Sequence, residues 1–75
     1  MDIVFSRHAK RRCKLYNIPE KIIVEIINTE GEFTEGHHEI IKKAGSFFYP
    51  LKVIIDVQRE KATVITSYPL KKGRQ

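Results

Sequence analysis

Histidine moves protons near neutrality, and arginine and lysine hold phosphate oxygens. The chain combines these types as His8, His37 and His38 with Arg11, Arg12, Lys52, Arg59, Lys71, Lys72 and Arg74. Metal-free cutting of a ribose phosphodiester needs the 2′-hydroxyl deprotonated, the phosphorane charge neutralised and the leaving oxygen protonated. All three jobs lie within the reach of these side chains. His8 and Arg12 stand at i and i+4, on one face of a helix, and can share a phosphate or a carboxylate. In the plainer reading, His8 hydrogen-bonds to a sheet and Arg12 lays its stem along the core.

The remaining reactive types offer less. His37 and His38 follow Gly36 where a loop passes into a strand. Adjacent strand residues point to opposite faces, so at most one of them can join a site on the sheet. Cys13 and the histidines match no structural zinc spacing, so neither a metal nor another cofactor is expected. Cys13 falls on the buried stripe of a helix, a poor place for a nucleophile. The glycines form no phosphate-cradling loop. Phe47, Phe48 and Tyr49 could stack on bases, although a small domain more often buries two such rings and exposes one.

Charge is strongly segregated. Arg7, Lys10, Arg11, Arg12 and Lys14 fall within eight residues that contain no acid, whereas Glu20, Glu25, Glu30, Glu32, Glu35 and Glu39 face only Lys21 over the next stretch. Lys71, Lys72 and Arg74 form a second basic cluster. With a net charge of +5, this pattern points to a polyanion such as nucleic acid. The size of 75 residues suits a single domain (1–75) with a thin core. A lone cysteine, no apolar run long enough to cross a bilayer and no signal peptide suggest a cytoplasmic protein without membrane contact.

The periodicity indicates what must position these residues. Ile3-Val4-Phe5 is a short apolar stretch, and Ser6 is a good N-cap for a helix to about Tyr16 with Ala9, Cys13 and Tyr16 on its buried stripe. Asn17-Ile18-Pro19 breaks that helix. Pro19 and Glu20 open a second helix to about Asn28, with Ile22, Ile23, Ile26 and Ile27 inward. Residues 29–36 read as a loop. Beyond it the period becomes two: Leu51, Val53, Ile55 and Val57 share one side, as do Ala62, Val64, Thr66 and Tyr68, around a four-residue turn at 58–61. Residues 38–43 and 47–49 are further strand material separated by Ala44-Gly45-Ser46, and Pro50 marks a bulge or edge.

Ser6-Arg7-His8-Ala9 followed by Arg12, then Asn17-Ile18 and an amphipathic helix, resembles a family of small prokaryotic proteins of unknown function. That family's helices open on a Ser-x-His-Ala-x-x-Arg pattern. Val64-Ile65-Thr66-Ser67-Tyr68 is similar to its closing strand. The family often has Arg and Gly where this chain has Tyr16 and Asn17, and Ser or Thr where it has Pro19. Such proteins look like distant relatives of the RelE, ParE and BrnT toxins. The resemblance implies an endoribonuclease, ribosome-linked or free, with an acidic antitoxin as partner. It also implies chemistry by Lys, Arg and a Tyr near the C-terminus, for which Lys52, Tyr68 and the tail are the analogues in kind.

Together these readings predict an α+β fold, RelE-like, with two N-terminal helices as a helical hairpin on an antiparallel sheet of three to four strands. Residues 1–28 hold a short strand and the helices, 37–69 the sheet and 70–75 a basic tail. The candidate catalytic residues are His8, Arg12, Lys52 and Tyr68. The candidate phosphate-holding residues are Arg7, Lys10, Arg11, Lys14, Lys71, Lys72 and Arg74. RNA is the expected partner of a monomer or homodimer. The alternative is a nucleic-acid-binding or protein-interaction module without catalysis.

Overall fold

Ile3, Val4 and Phe5 are β-branched or aromatic, and they form a strand. The computed structural model describes residues 2–43 and 47–70. Along the chain run β1 (Asp2–Phe5), α1 (Arg7–Leu15), α2 (Glu20–Glu30), β2 (Gly36–Lys42), β3 (Leu51–Gln58) and β4 (Lys61–Pro69). The four strands make one sheet in the order β1-β4-β3-β2. β2, β3 and β4 form an antiparallel meander, whereas β1 lies parallel to β4, from Asp2 beside Lys61 to Phe5 beside Val64.

This corrects the expected architecture in two respects. The helices do not form an N-terminal hairpin on the sheet, because β1 precedes them and is itself an edge strand. The sheet is mixed rather than antiparallel. The physical reason is the crossover: parallel neighbours need a long connection between them, and the two helices with the meander supply it. α1 packs chiefly on β4.

The core lies between the helices and one face of the sheet. Ala9, Cys13, Ile18, Ile23, Ile26 and Ile27 pack there against Ile40, Leu51, Val53, Ile55, Val57, Ala62 and Val64. α2 buries the isoleucines its spacing marks, with Ile22 half-buried. Asn17 takes the left-handed conformation, φ 57°, that ends α1, a role asparagine tolerates. Among the described residues, no helix is long and apolar enough to cross a membrane.

Three local expectations also change. Phe47, Phe48 and Tyr49 lie outside the sheet, between β2 and β3, and Ala44-Gly45-Ser46 falls outside the described residues. Pro50 precedes β3, and its carbonyl accepts a hydrogen bond from the Leu70 N–H at 2.8 Å. The irregularity sits in β4 instead: Ile55 pairs with Val64 and Ile54 with Thr66, leaving Ile65 as an extra residue. That bulge inverts the alternation. Ser67, not Thr66 or Tyr68, turns to the helices and is fully buried. Tyr68 therefore falls on the opposite, helix-free face, as the partner of Lys52.

Candidate nucleic-acid interface

α1 begins where Ser6 caps it: the Ser6 hydroxyl accepts from the Ala9 N–H at 3.0 Å and donates to the Ile65 carbonyl at 3.0 Å. With Ala9 and Cys13 turned inward, the helix must present Arg7, His8, Lys10, Arg11 and Lys14 outward, and all five are exposed. Among the described residues, none of Arg7, Lys10, Arg11 or Lys14 forms an ion pair. Lys14 and Arg12 lie in the last turn, where cations favour the helix dipole. Arg7 does not: it occupies the first turn, which carries no acid, where a cation costs about 0.3–1 kcal/mol. Stability alone would choose an acid there.

His8 and Arg12 do meet. Arg12 Nε donates to His8 Nε2 at 3.2 Å and Nη1 to the Tyr16 hydroxyl at 3.4 Å. His8 does not reach the sheet; it accepts from the helix's own arginine. In this arrangement the guanidinium is held along the helix between two acceptors. Tyr16 was not among the candidates, although its place four residues after Arg12 is the signal that finds it.

Lys52 and Tyr68 meet separately. They are cross-strand partners on the helix-free face, and Lys52 Nζ also lies 3.4 Å from a Glu39 carboxylate oxygen. Contact with Glu39, with Tyr68 adding to it, pushes the Lys52 ammonium above its ordinary value. Lys52 is thus a cation that can hold a phosphate, and its raised value makes it a poor proton donor. On the same face His37 Nδ1 lies 3.5 Å from Asp56, which accepts from Gln58 Nε2 at 3.2 Å. Glu39 and Asp56 were missed because cross-strand pairing depends on register.

The four catalytic candidates therefore form two pairs on opposite sides of the sheet. Cys13 and Ser67 lie between α1 and β4, whereas Lys52 and Tyr68 point away from them, so His8 and Arg12 cannot join Lys52 and Tyr68 in one cleft. Lys71, Lys72 and Arg74 lie outside the described residues. His38 is engaged locally, its Nε2–H donating to the Thr34 carbonyl with the ring 5.0 Å from that of Phe33. Cys13 Sγ is 3.5 Å from Ser67 Oγ; burial pushes its thiol up, against the nucleophile role. Phe48 is 81% exposed and stands edge-on to Tyr49. Among the described residues, no group of three or more His, Cys, Asp or Glu side chains is placed to hold a metal.

Comparison with family models, with curated proteins and with solved structures finds no match to this chain. The likeness to the RelE, ParE and BrnT toxins thus rests on the short motifs alone.

Proposed function

We propose that this protein binds nucleic acid, RNA foremost, through the outward face of α1. One observation carries the proposal: Arg7, Lys10, Arg11 and Lys14 are exposed on a single helix with no ion-pair partner among the described residues, and Arg7 is placed against the dipole. Such a surface attracts phosphates from solution and releases their counterions on contact. It grips the backbone rather than the bases, so it favours RNA over neutral ligands without selecting a sequence. An acidic protein, the antitoxin of a toxin pair, would cover the same cations. A cytoplasmic setting suits the role, since a lone thiol stays reduced there. The proposal is tested by fluorescence anisotropy with a single-stranded RNA, comparing wild type with the variant carrying glutamine at 7, 10, 11 and 14; equal affinities would remove it.

A second reading, that RNA reaching the helix-free face is cut as a toxin endoribonuclease would cut it, is favoured by the pairing of Lys52 with Tyr68. The Lys52 ammonium can neutralise the phosphorane, the Glu39 carboxylate beside it can take the proton of the 2′-hydroxyl, and the Tyr68 phenol can deliver a proton to the leaving oxygen. Under this reading Lys52→Ala and Tyr68→Phe each slow cleavage by roughly a hundredfold, while His8→Ala, on the other side of the sheet, leaves it within twofold or so. Wild-type protein that cuts no RNA, with or without ribosomes, rules the second reading out and leaves the first intact.

A further inference from the structure

An open groove of about 710 Å³ lies where the α2–β2 loop meets the β3–β4 turn. Its lining is more polar than apolar: Phe33 and an edge of the buried Val57 are its apolar members, and Glu32, Glu35 and Glu60 stand there with one cation, Arg59. A groove of this kind fits a ligand that is cationic around an apolar centre. One segment of the same chain has that character. On α1, Arg7, Arg11, Lys14 and Leu15 fall within a single outward stripe, and Leu15 is 65% exposed.

The stripe cannot reach its own groove. The Asp2 N–H bonds to the Glu60 carbonyl at the turn, the Ser6 N–H bonds to the Val64 carbonyl, and α1 then advances along β4 until Cys13 meets Ser67. From Lys61 to Ser67 is about 20 Å of strand at roughly 3.3 Å per residue, and Leu15 lies in the turn of α1 beyond Cys13. The complementary surfaces stand at different ends of one molecule.

We propose that the groove receives α1 of a second copy, with Leu15 against Phe33 and Val57 and the cations facing Glu32, Glu35 and Glu60. The contact is heterologous, using two different patches, so it joins molecules head to tail. It does not rest on the nucleic-acid reading, but it uses the same helix face. Self-association and RNA binding then exclude one another, and RNA releases the monomer.

Sedimentation velocity on the full chain tests this. Wild type should associate with rising concentration at low salt, revert toward monomer as salt screens the contact, and dissociate when RNA is added. Glu32→Gln with Glu60→Gln removes the groove's charge but leaves Glu35, which accepts from the Arg59 N–H at 2.8 Å and holds the turn. Arg11→Gln with Leu15→Gln removes the helix stripe. Each double variant alone should be monomeric, its association weakened by roughly tenfold or more. A mixture of the two retains one intact groove and one intact stripe, so it should form a 1:1 heterodimer and nothing larger. Wild type that stays monomeric up to the highest soluble concentration overturns the proposal. So does either variant associating like wild type, or a mixture that stays monomeric while wild type associates. None of these results bears on whether α1 binds RNA.

Discussion

Ser6 joins two elements with one hydroxyl, capping α1 through Ala9 and gripping β4 through the Ile65 carbonyl. The cap alone is worth about 1 kcal/mol, and the bond to the bulged strand adds to it, so Ser6→Ala should cost about 1–2 kcal/mol. For a domain of this size that lowers the melting temperature by roughly 5–10 °C. A thermal melt of the variant within about 1 °C of wild type would contradict the double role. The cap was legible in the sequence, because serine before a run without Gly or Pro has one common meaning. The second bond was not, since it depends on a bulge 59 positions away. His8 and Arg12 show the same limit. Their spacing predicts that they meet, and they do, but it cannot say that Tyr16 takes the other guanidinium edge.

The β3–β4 connection carries the clearest element-scale test. Its two central residues, Arg59 and Glu60, both have positive φ, 51° and 61°. That is the geometry of the tightest hairpin turns, normally filled by Asn-Gly. Arginine and glutamate there work against their own conformational preference. Arg59→Asn with Glu60→Gly keeps the backbone N–H that bonds Glu35 and should stabilise the fold by about 1 kcal/mol. Urea unfolding measures this; a midpoint unchanged or lowered would mean the turn is not strained. The residues at 58–61 suggested a four-residue turn, and the ladder closes to two because Gln58 and Lys61 still pair. The same register effect explains the inverted face of β4. Alternation across Ala62 to Tyr68 is regular in the sequence, and nothing local marks Ile65 as the extra residue. α2 was legible because its isoleucines repeat at helical spacing. β1 was visible as an apolar stretch, yet its parallel partner lies at the far end of the chain.

At the scale of the whole molecule, the fold turns charge order along the chain into charge order in space. α1 must bury Ala9 and Cys13 on β4, so its cations are driven outward together. The acids of the α2–β2 loop gather by the β3–β4 turn, beyond β1. That separation was legible as a pattern of types. The separation of His8 and Arg12 from Lys52 and Tyr68 was not, because the side of the sheet that Tyr68 occupies depends on one bulge. The account stands on the basic face of α1, and the salt dependence of RNA binding measures it most directly. Single-stranded contacts give a slope of about −0.7 per phosphate in a plot of log affinity against log salt. Wild type should therefore lose roughly fiftyfold in affinity between 50 and 200 mM salt from four such contacts. Replacing Arg7, Lys10, Arg11 and Lys14 by glutamine should flatten the slope by about 2.8. A slope that is the same in both proteins, or a wild type that does not hold RNA even at the lowest salt, would contradict the account.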